Sequence, residues 1–160
     1  MIIKPQSGNS SFHFAMIKPS HYDDDGYVIQ WIRSAIPSNS LAVINGIAMD
    51  CVARRVLGEN VDIKLSAYDE TNTRIKTASI SKRIEKSGGF GLVALVGVQT
   101  NQFPRAVDLA RQFRAEGIQV AIGGFHVSAC LSMLPELPAD LQEALDLGIT
   151  LFAGELEGRL

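Results

Sequence analysis

A chain of 160 residues and 17.3 kDa, 46% apolar and 20% charged, is long enough for one packed core and short for two. Its formal charge of -2 and pI near 5.9 provide no field to gather nucleic acid or an anionic membrane surface, so neither is an expected partner. Cys51 and Cys130, the two cysteines, stand in no CxxC or CxxxCxxC spacing and read as small buried hydrophobes; no apolar run reaches the roughly eighteen residues that span a bilayer, and the first residues make no signal peptide, so the expected location is cytoplasmic.

Residues 1–11 are polar, with Pro5 and Gly8, and read as an N-terminal arm. Phe12 to Lys18, ended by Pro19, is the first predicted strand. The compact polar loop Ser20 to Gly26, SHYDDDG, then falls at the carboxyl end of that strand, where open parallel sheets place their sites. Tyr27 to Ile36 carries aromatic and aliphatic residues at helical intervals and is expected to form a short helix or a folded cover. Ser40 is the expected cap of a helix over Leu41 to Leu57, with Val43, Ile47 and Cys51 on its apolar stripe and Gly58 as its stop. Val61 to Ala67 alternates, Asp62 and Lys64 against Val61, Ile63 and Leu65, as a less buried edge strand does; Tyr68, Asp69 and Glu70 close it.

Thr77 to Lys86, with Ile80 and Ile84 four apart, predicts a second helix. Leu92 to Val98 is a nearly unbroken apolar run and reads as a central strand covered on both faces. From Pro104 the period changes to three and four, through Val107, Ala110 and Phe113, until Gly117 stops the helix and Ile118 to Ile122 begins the next strand. Ser128 to Leu147 contains at least one helical segment, interrupted by Pro135 and Pro138 and best patterned at Leu141, Ala144 and Leu145; Ile149 to Ala153 is the last strand. The order β-α-β-α-β-α-β-α-β predicts a Rossmann-like (flavodoxin-like) three-layer α/β sandwich. Its parallel sheet should have the order 2-1-3-4-5, because a less apolar second strand belongs at an edge.

All strand-end loops then gather along one sheet edge. Thr100, Asn101 and Gln102 offer hydroxyl and amide groups that either grip a polar ligand or cap the following helix. Gly123 and Gly124 remove two side chains where a ligand or a neighbouring loop approaches the backbone. His126 either donates from its ring, or caps, or faces water. His21 with Asp23, Asp24 and Asp25 brings imidazole and carboxylates together for a metal or an acid/base pair, or forms a solvated turn. GxGxxG is missing after the first strand, Gln99 and Thr100 stand where a phospho-acceptor aspartate would, and no GxSxG occurs.

The run LVALVGVQTNQFPRAVDLARQFRAEGIQVAIGGFHVS, a gap, and GITLFAGELEG resemble the N-terminal cobalamin-binding domain of cobalamin-dependent radical SAM enzymes. The resemblance extends from Phe12 to Glu157 and is most specific in the pairing of IGGFH with FAGELEG. It implies a domain over residues 12–157, a linker starting at 158–160, and a C-terminal radical SAM domain as partner. That domain would hold the iron-sulfur cluster, S-adenosylmethionine and a small-molecule substrate. It implies a corrinoid lying across the carboxyl edge of the sheet, its nucleotide tail entering between strands. Gly123, Gly124 and His126 match the family's glycine pair and following histidine; Thr100 and Asn101 match the strand end that contacts the tail or corrin amides; Gly154 and Glu155 match the last strand's turn, and Glu157 completes its GE.E pattern. Ser20, His21, Tyr22, Asp69 and Glu70 are expected under or beside the ring. Related methyl-carrying domains use DxHxxG after strand one; here Pro19 precedes His21 at two positions and DDDG follows. Cobalt therefore either has no ligand from the chain or takes His21 as its axial ligand. With no CxxxCxxC present, the chain by itself is expected to bind and orient the cofactor rather than turn over. The competing expectation is a flavodoxin-like interaction or regulatory module that binds no corrinoid. A third is a small-molecule enzyme built on His21 and Asp23 to Asp25.

Overall fold

Side chains alternate across a strand, so each strand's apolar pattern decides which residues meet which helical layer. The computed structural model describes residues 10–32 and 36–159. In chain order they form β1 (Ser10–Lys18), α1 (Asn39–Ala53), β2 (Val61–Asp69), α2 (Thr77–Lys86), β3 (Gly91–Leu95), a 3-10 turn (Thr100–Gln102) running into α3 (Phe103–Ala115), β4 (Gln119–Gly123), α4 (Phe125–Met133), α5 (Ala139–Asp146) and β5 (Thr150–Phe152). Among the described residues five strands make one all-parallel sheet in the order β2-β1-β3-β4-β5. This is the flavodoxin-like arrangement expected from the sequence.

The two faces of that sheet are unequal. On one, Ala15 and Ile17 of β1, Val93 and Leu95 of β3, and Val120 and Ile122 of β4 pack with Ile80 and Ile84 of α2, Leu109 and Phe113 of α3, and Leu141 and Ala144 of α5. Full burial of a side chain such as Phe113 is worth about 1.5–3 kcal/mol, so this layer supplies most of the core. On the other face the core shrinks to Phe14 and Met16 of β1 and Ala48 of α1, with Leu65, Leu92 and Ala94 partly buried beside them. Helix α1 therefore covers the β2-β1 half, and the β3-β4-β5 half of this face is open. The apolar run at β3 is thus fully covered on one side only.

Local chemistry explains where elements start and stop. Ser10 and Ser11 pair with Val61 and Asp62, so the sheet takes up the end of the expected arm; residues 1–9 lie outside those described. Ser38, not Ser40, caps α1, its hydroxyl accepting from Leu41 N at 3.2 Å. The helix ends at Ala53 rather than Leu57, because Arg55 adopts a left-handed φ of 50° before Gly58 does so at 105°. At the end of α3 the amides of Gly117 and Ile118 return to the carbonyls of Arg114 and Phe113, and Gly117 has φ 76°. That reciprocal closure is why a glycine stands at the stop read from the sequence. Within Tyr27 to Ile36 the described residues are not helical: Tyr22 and Val28 form an antiparallel bridge, and residues 33–35 lie outside those described. Among the described residues no helix is long and apolar enough to cross a membrane.

Candidate functional site

The open half of the thin face is a cleft of about 810 Å³. Its floor comes from the alternate residues of three strands, Leu92 and Ala94 of β3, Ala121 and Gly123 of β4, and Thr150 and Phe152 of β5. One wall is the first half of α1, through Asn39, Ser40, Val43, Ile44 and Ile47; the far rim is Phe125 and Ser128 of α4 with residues 154–157 and Arg159. Small residues on the floor make the trough deep, and half-exposed Val43 and 61% exposed Phe125 make its mouth apolar. Polar groups sit at the rim: Asn39, Ser40, Gln99, Ser128 and Glu155. Volume and lining both fall in the range of ligand sites with an apolar body and a few orienting polar groups.

Three turns at the carboxyl ends shape the cleft. At Gly97, with φ 63°, a Cβ would stand 2.8 Å from Ser40 Cβ, so the start of α1 seats directly on this glycine. Gly124, with φ 144°, would put a Cβ 2.2 Å from Val98 N and 2.7 Å from Val98 O. Val98 N donates to Gly123 O, and His126 N donates to Val98 O, both at 3.1 Å. The second glycine of the pair is therefore required by a neighbouring loop, one of the two readings open from sequence. Gly123 differs, since a Cβ there would meet Phe152 only at 3.4 Å; its missing side chain widens the trough. Beyond β5, Gly154 N donates to Ser128 Oγ at 3.0 Å, and Arg159 lies 4.4 Å over the Phe152 ring while donating to Ala153 O. The last residues thus fold back as a rim.

The loop after β1 belongs to a different construction. Asp23 Oδ1 accepts from the amides of Asp25 and Tyr27, Gly26 N returns to Asp23 O, and Ile29 N reaches His21 O. SHYDDDG is a hairpin whose first aspartate is consumed in its own turn. Its base rests on Glu70, which is 1% exposed and accepts from Ser20 N at 3.0 Å. Arg105 of α3 grips the same carboxylate, with Nη2 2.6 Å from Oε1 and Nε 3.2 Å from both oxygens. Burial works against the Arg105 charge, but the hydrogen bonds to Glu70 and Tyr22 outweigh it and hold the guanidinium above its ordinary range. Tyr22 Oη donates to Asp108 at 2.6 Å, and burial followed by that acceptor raises the phenol's pKa. Asp69 closes the strand end, accepting at Oδ1 from the amide and hydroxyl of Thr71. Among the described residues no three His, Cys, Asp or Glu side chains gather as a metal set, so the His21 and Asp23 to Asp25 arrangement finds no convergent geometry.

His126 also turns away from the cleft. It lies in the first turn of α4, 8% exposed, with Nε2 2.9 Å from Asp140 Oδ2, Nδ1 3.3 Å from Thr100 Oγ1, and its ring 4.5 Å from that of Phe103. It ties α4 to α5. The cap before α3 is made by Gln99 and Gln102, each bonding the other's backbone, which leaves Thr100 and Asn101 exposed at the turn.

The predicted residues thus separate. Gly123, Gly124, Gly154 and Glu155 line the cleft, while Ser20, Tyr22, Asp69 and Glu70 are engaged in the hairpin support and Thr100 and His126 in the α4-α5 corner. His21 and Asn101 lie outside the cleft lining. Sequence reasoning did not single out Ala121, Phe152, Ser40 or Gln99 for the cleft, nor Arg105 and Asp140 for the networks. The alternation of small and large residues on β4 was the available signal for Ala121. Comparison with protein-family models, with curated proteins and with solved structures returned no match.

Proposed function

We propose that this chain is a cobalamin-binding domain of a radical SAM enzyme, and that the cleft receives the cofactor's nucleotide tail. The observation that carries the reading is the uncovered β3-β4-β5 floor: a trough of Ala94, Ala121 and Gly123, apolar at its mouth, polar at its rim, opening toward the strand ends that the resemblance marks. A flat aromatic base with a sugar and phosphate suits this lining, since the base meets apolar floor and the polar linkage meets Ser40, Gln99 and Ser128. The donor set also fits a cofactor whose metal is held chiefly by its own macrocycle, because the chain would have to supply His21 or no cobalt ligand. When bound, cobalamin would supply methyl transfer or radical chemistry alongside a partner domain's iron-sulfur cluster. This chain would bind it, shield the tail from water and orient the ring over the carboxyl edge.

The test is retention of hydroxocobalamin after desalting, read by its visible spectrum. Ala121→Phe fills the trough from a strand position and should abolish retention while the circular dichroism and melting curve hold. Replacement of Gly124 would be uninformative because that residue locks the fold. A colourless wild-type chain would defeat the cobalamin reading and leave a flavodoxin-like interaction module; a variant that retains cofactor as well as wild type would defeat the assignment of the tail to this cleft. His21→Ala then decides the axial position: an unchanged visible and paramagnetic spectrum removes it as a ligand.

A further inference from the structure

Arg159 is the one positively charged side chain among the described residues that line the cleft. Its guanidinium lies 4.4 Å over the Phe152 ring, and its Nη1 donates to Ala153 O at 2.8 Å. The turn that carries it is closed by Arg159 N donating to Leu156 O at 3.0 Å. At Gly154, with φ 87°, a Cβ would stand 3.3 Å from Arg159 Nη1, so glycine leaves the guanidinium its room. This seat uses one face and one donor of a planar fork that has several more N–H groups. Among the described residues no carboxylate lies within ion-pair distance of Arg159, whereas Arg54, Arg55, Arg105 and Arg111 each have one. Ser128 adjoins the same glycine: its Oγ accepts from Gly154 N at 3.0 Å, and among the described residues its own hydrogen has no acceptor. A cation and a hydroxyl, both with donors to spare, thus stand around Gly154 at the β5 end of an apolar trough.

We propose that Arg159, with Ser128, reads the phosphate of a ligand whose flat base fills the trough, and so sets the cleft's preference for a nucleotide over the same nucleoside without phosphate. The inference rests on the assignment of the nucleotide tail to this cleft and adds the residue that recognises its phosphate. A guanidinium can donate to two phosphate oxygens at once, a geometry that the serine and amide groups of the rim cannot supply. Glu155 and Glu157 line the same end and are exposed. Their charges weigh against a free anion, whereas a phosphate carried on an apolar body gains from the floor and the guanidinium together.

The probes are the nucleotide of the tail, dimethylbenzimidazole riboside phosphate, and the same nucleoside without its phosphate, each measured on the full chain by equilibrium dialysis. The wild-type chain should bind the phosphate form about tenfold tighter, as a charge-assisted contact to phosphate requires. Arg159→Met should bring the two affinities within about twofold of each other, and Arg159→Gln, which keeps a donor for Ala153 O, should do the same. Arg74→Met removes an equal charge from an exposed position outside the cleft lining and should keep the wild-type preference. Equal binding of the two probes by wild type, binding of neither, an undiminished preference in either Arg159 variant, or its loss in Arg74→Met overturns the proposal. Retention of hydroxocobalamin is scored on the same preparation. A chain that retains it but fails these tests loses this inference alone; one that releases it yet shows the Arg159-dependent preference keeps the phosphate-reading cleft and loses the cobalamin reading.

Discussion

Replacing Arg105 with methionine keeps most of the side chain's apolar length and removes the charge that faces Glu70. Glu70 is 1% exposed at its side chain and Arg105 16%, so the exposed-pair value of up to about 1 kcal/mol does not apply. With Arg105 gone, the carboxylate keeps one described donor, Ser20 N at 3.0 Å. Stranding a buried charge costs about 3–5 kcal/mol; because the guanidinium retains some contact with water, the lower end, about 3 kcal/mol, is expected. In urea, with a slope of about 2 kcal/mol/M for a domain of this size, the midpoint should fall by about 1.5 M without a change of slope. The double variant Glu70→Gln/Arg105→Met removes the stranded charge and should recover at least about half of the loss, giving a coupling energy in the double-mutant cycle. A single-variant loss below about 1 kcal/mol, or a double variant no more stable than Arg105→Met, would refute the claim that this pair holds the hairpin to the sheet.

Other outcomes follow from the same geometry. Gly124→Ala forces a Cβ to within 2.2 Å of Val98 N at φ 144° and should cost upwards of about 4 kcal/mol or prevent folding, whereas Gly123→Ala, at 3.4 Å from Phe152, should stay within about 1 kcal/mol; paired thermal melts compare them. His13 is buried, and that burial, followed by the charges of Arg83 and Lys64, holds its imidazole below the ordinary value of 6.5. The folded chain therefore binds this proton less readily than the unfolded chain, and stability complete above about pH 6.5 declines as pH falls through that value toward the lower folded pKa. Removing the imidazole by His13→Gln, which keeps a partner for Ser66 Oγ, should flatten the slope of urea midpoint against pH in that window; an unchanged slope would assign it elsewhere. Phe113→Ala empties a site at 0% exposure and should cost about 3–5 kcal/mol by urea titration.

The fold was legible because its signals are local and repeated. Strand alternation at Val61 to Leu65, the three-four spacing of Val107, Ala110 and Phe113, and Gly117 as a stop each depend on a few adjacent residues. The sheet order followed from one compositional contrast, Asp62 and Lys64 in β2 against the apolar β3. What sequence left open depends on which face a residue reaches after the chain turns. Phe125 and His126 are adjacent, yet helical rotation sends the first to the cleft and the second to Asp140. Glu70 and Arg105, far apart in sequence, meet because β2 and α3 converge at the carboxyl edge. Their pairing has no local signal. The coverage of β3 was misread for a related reason: Leu92 to Val98 shows that both faces are apolar, not that a helix lies on each.

That half-covered sheet is the strongest physical argument for a ligand. Parallel sheets bury both faces, because their crossovers place helices on each and their strands are apolar throughout. Here the described residues place α2, α3 and α5 on one face and α1 over only the β2-β1 half of the other. The remaining half is not polar, as a solvated surface would be; Leu92, Ala94, Ala121 and Phe152 stay apolar, and Gly123 keeps the space beside them open. An occupant must therefore present an apolar, thin body to the floor and polar groups to Ser40, Gln99 and Ser128. The hairpin network cannot serve that role, since its carboxylates and tyrosine already satisfy one another. The proposed binding therefore rests on the sheet face with the turns at Gly123 and Gly154, while the hairpin after β1, held by Glu70 and Arg105, is part of the frame.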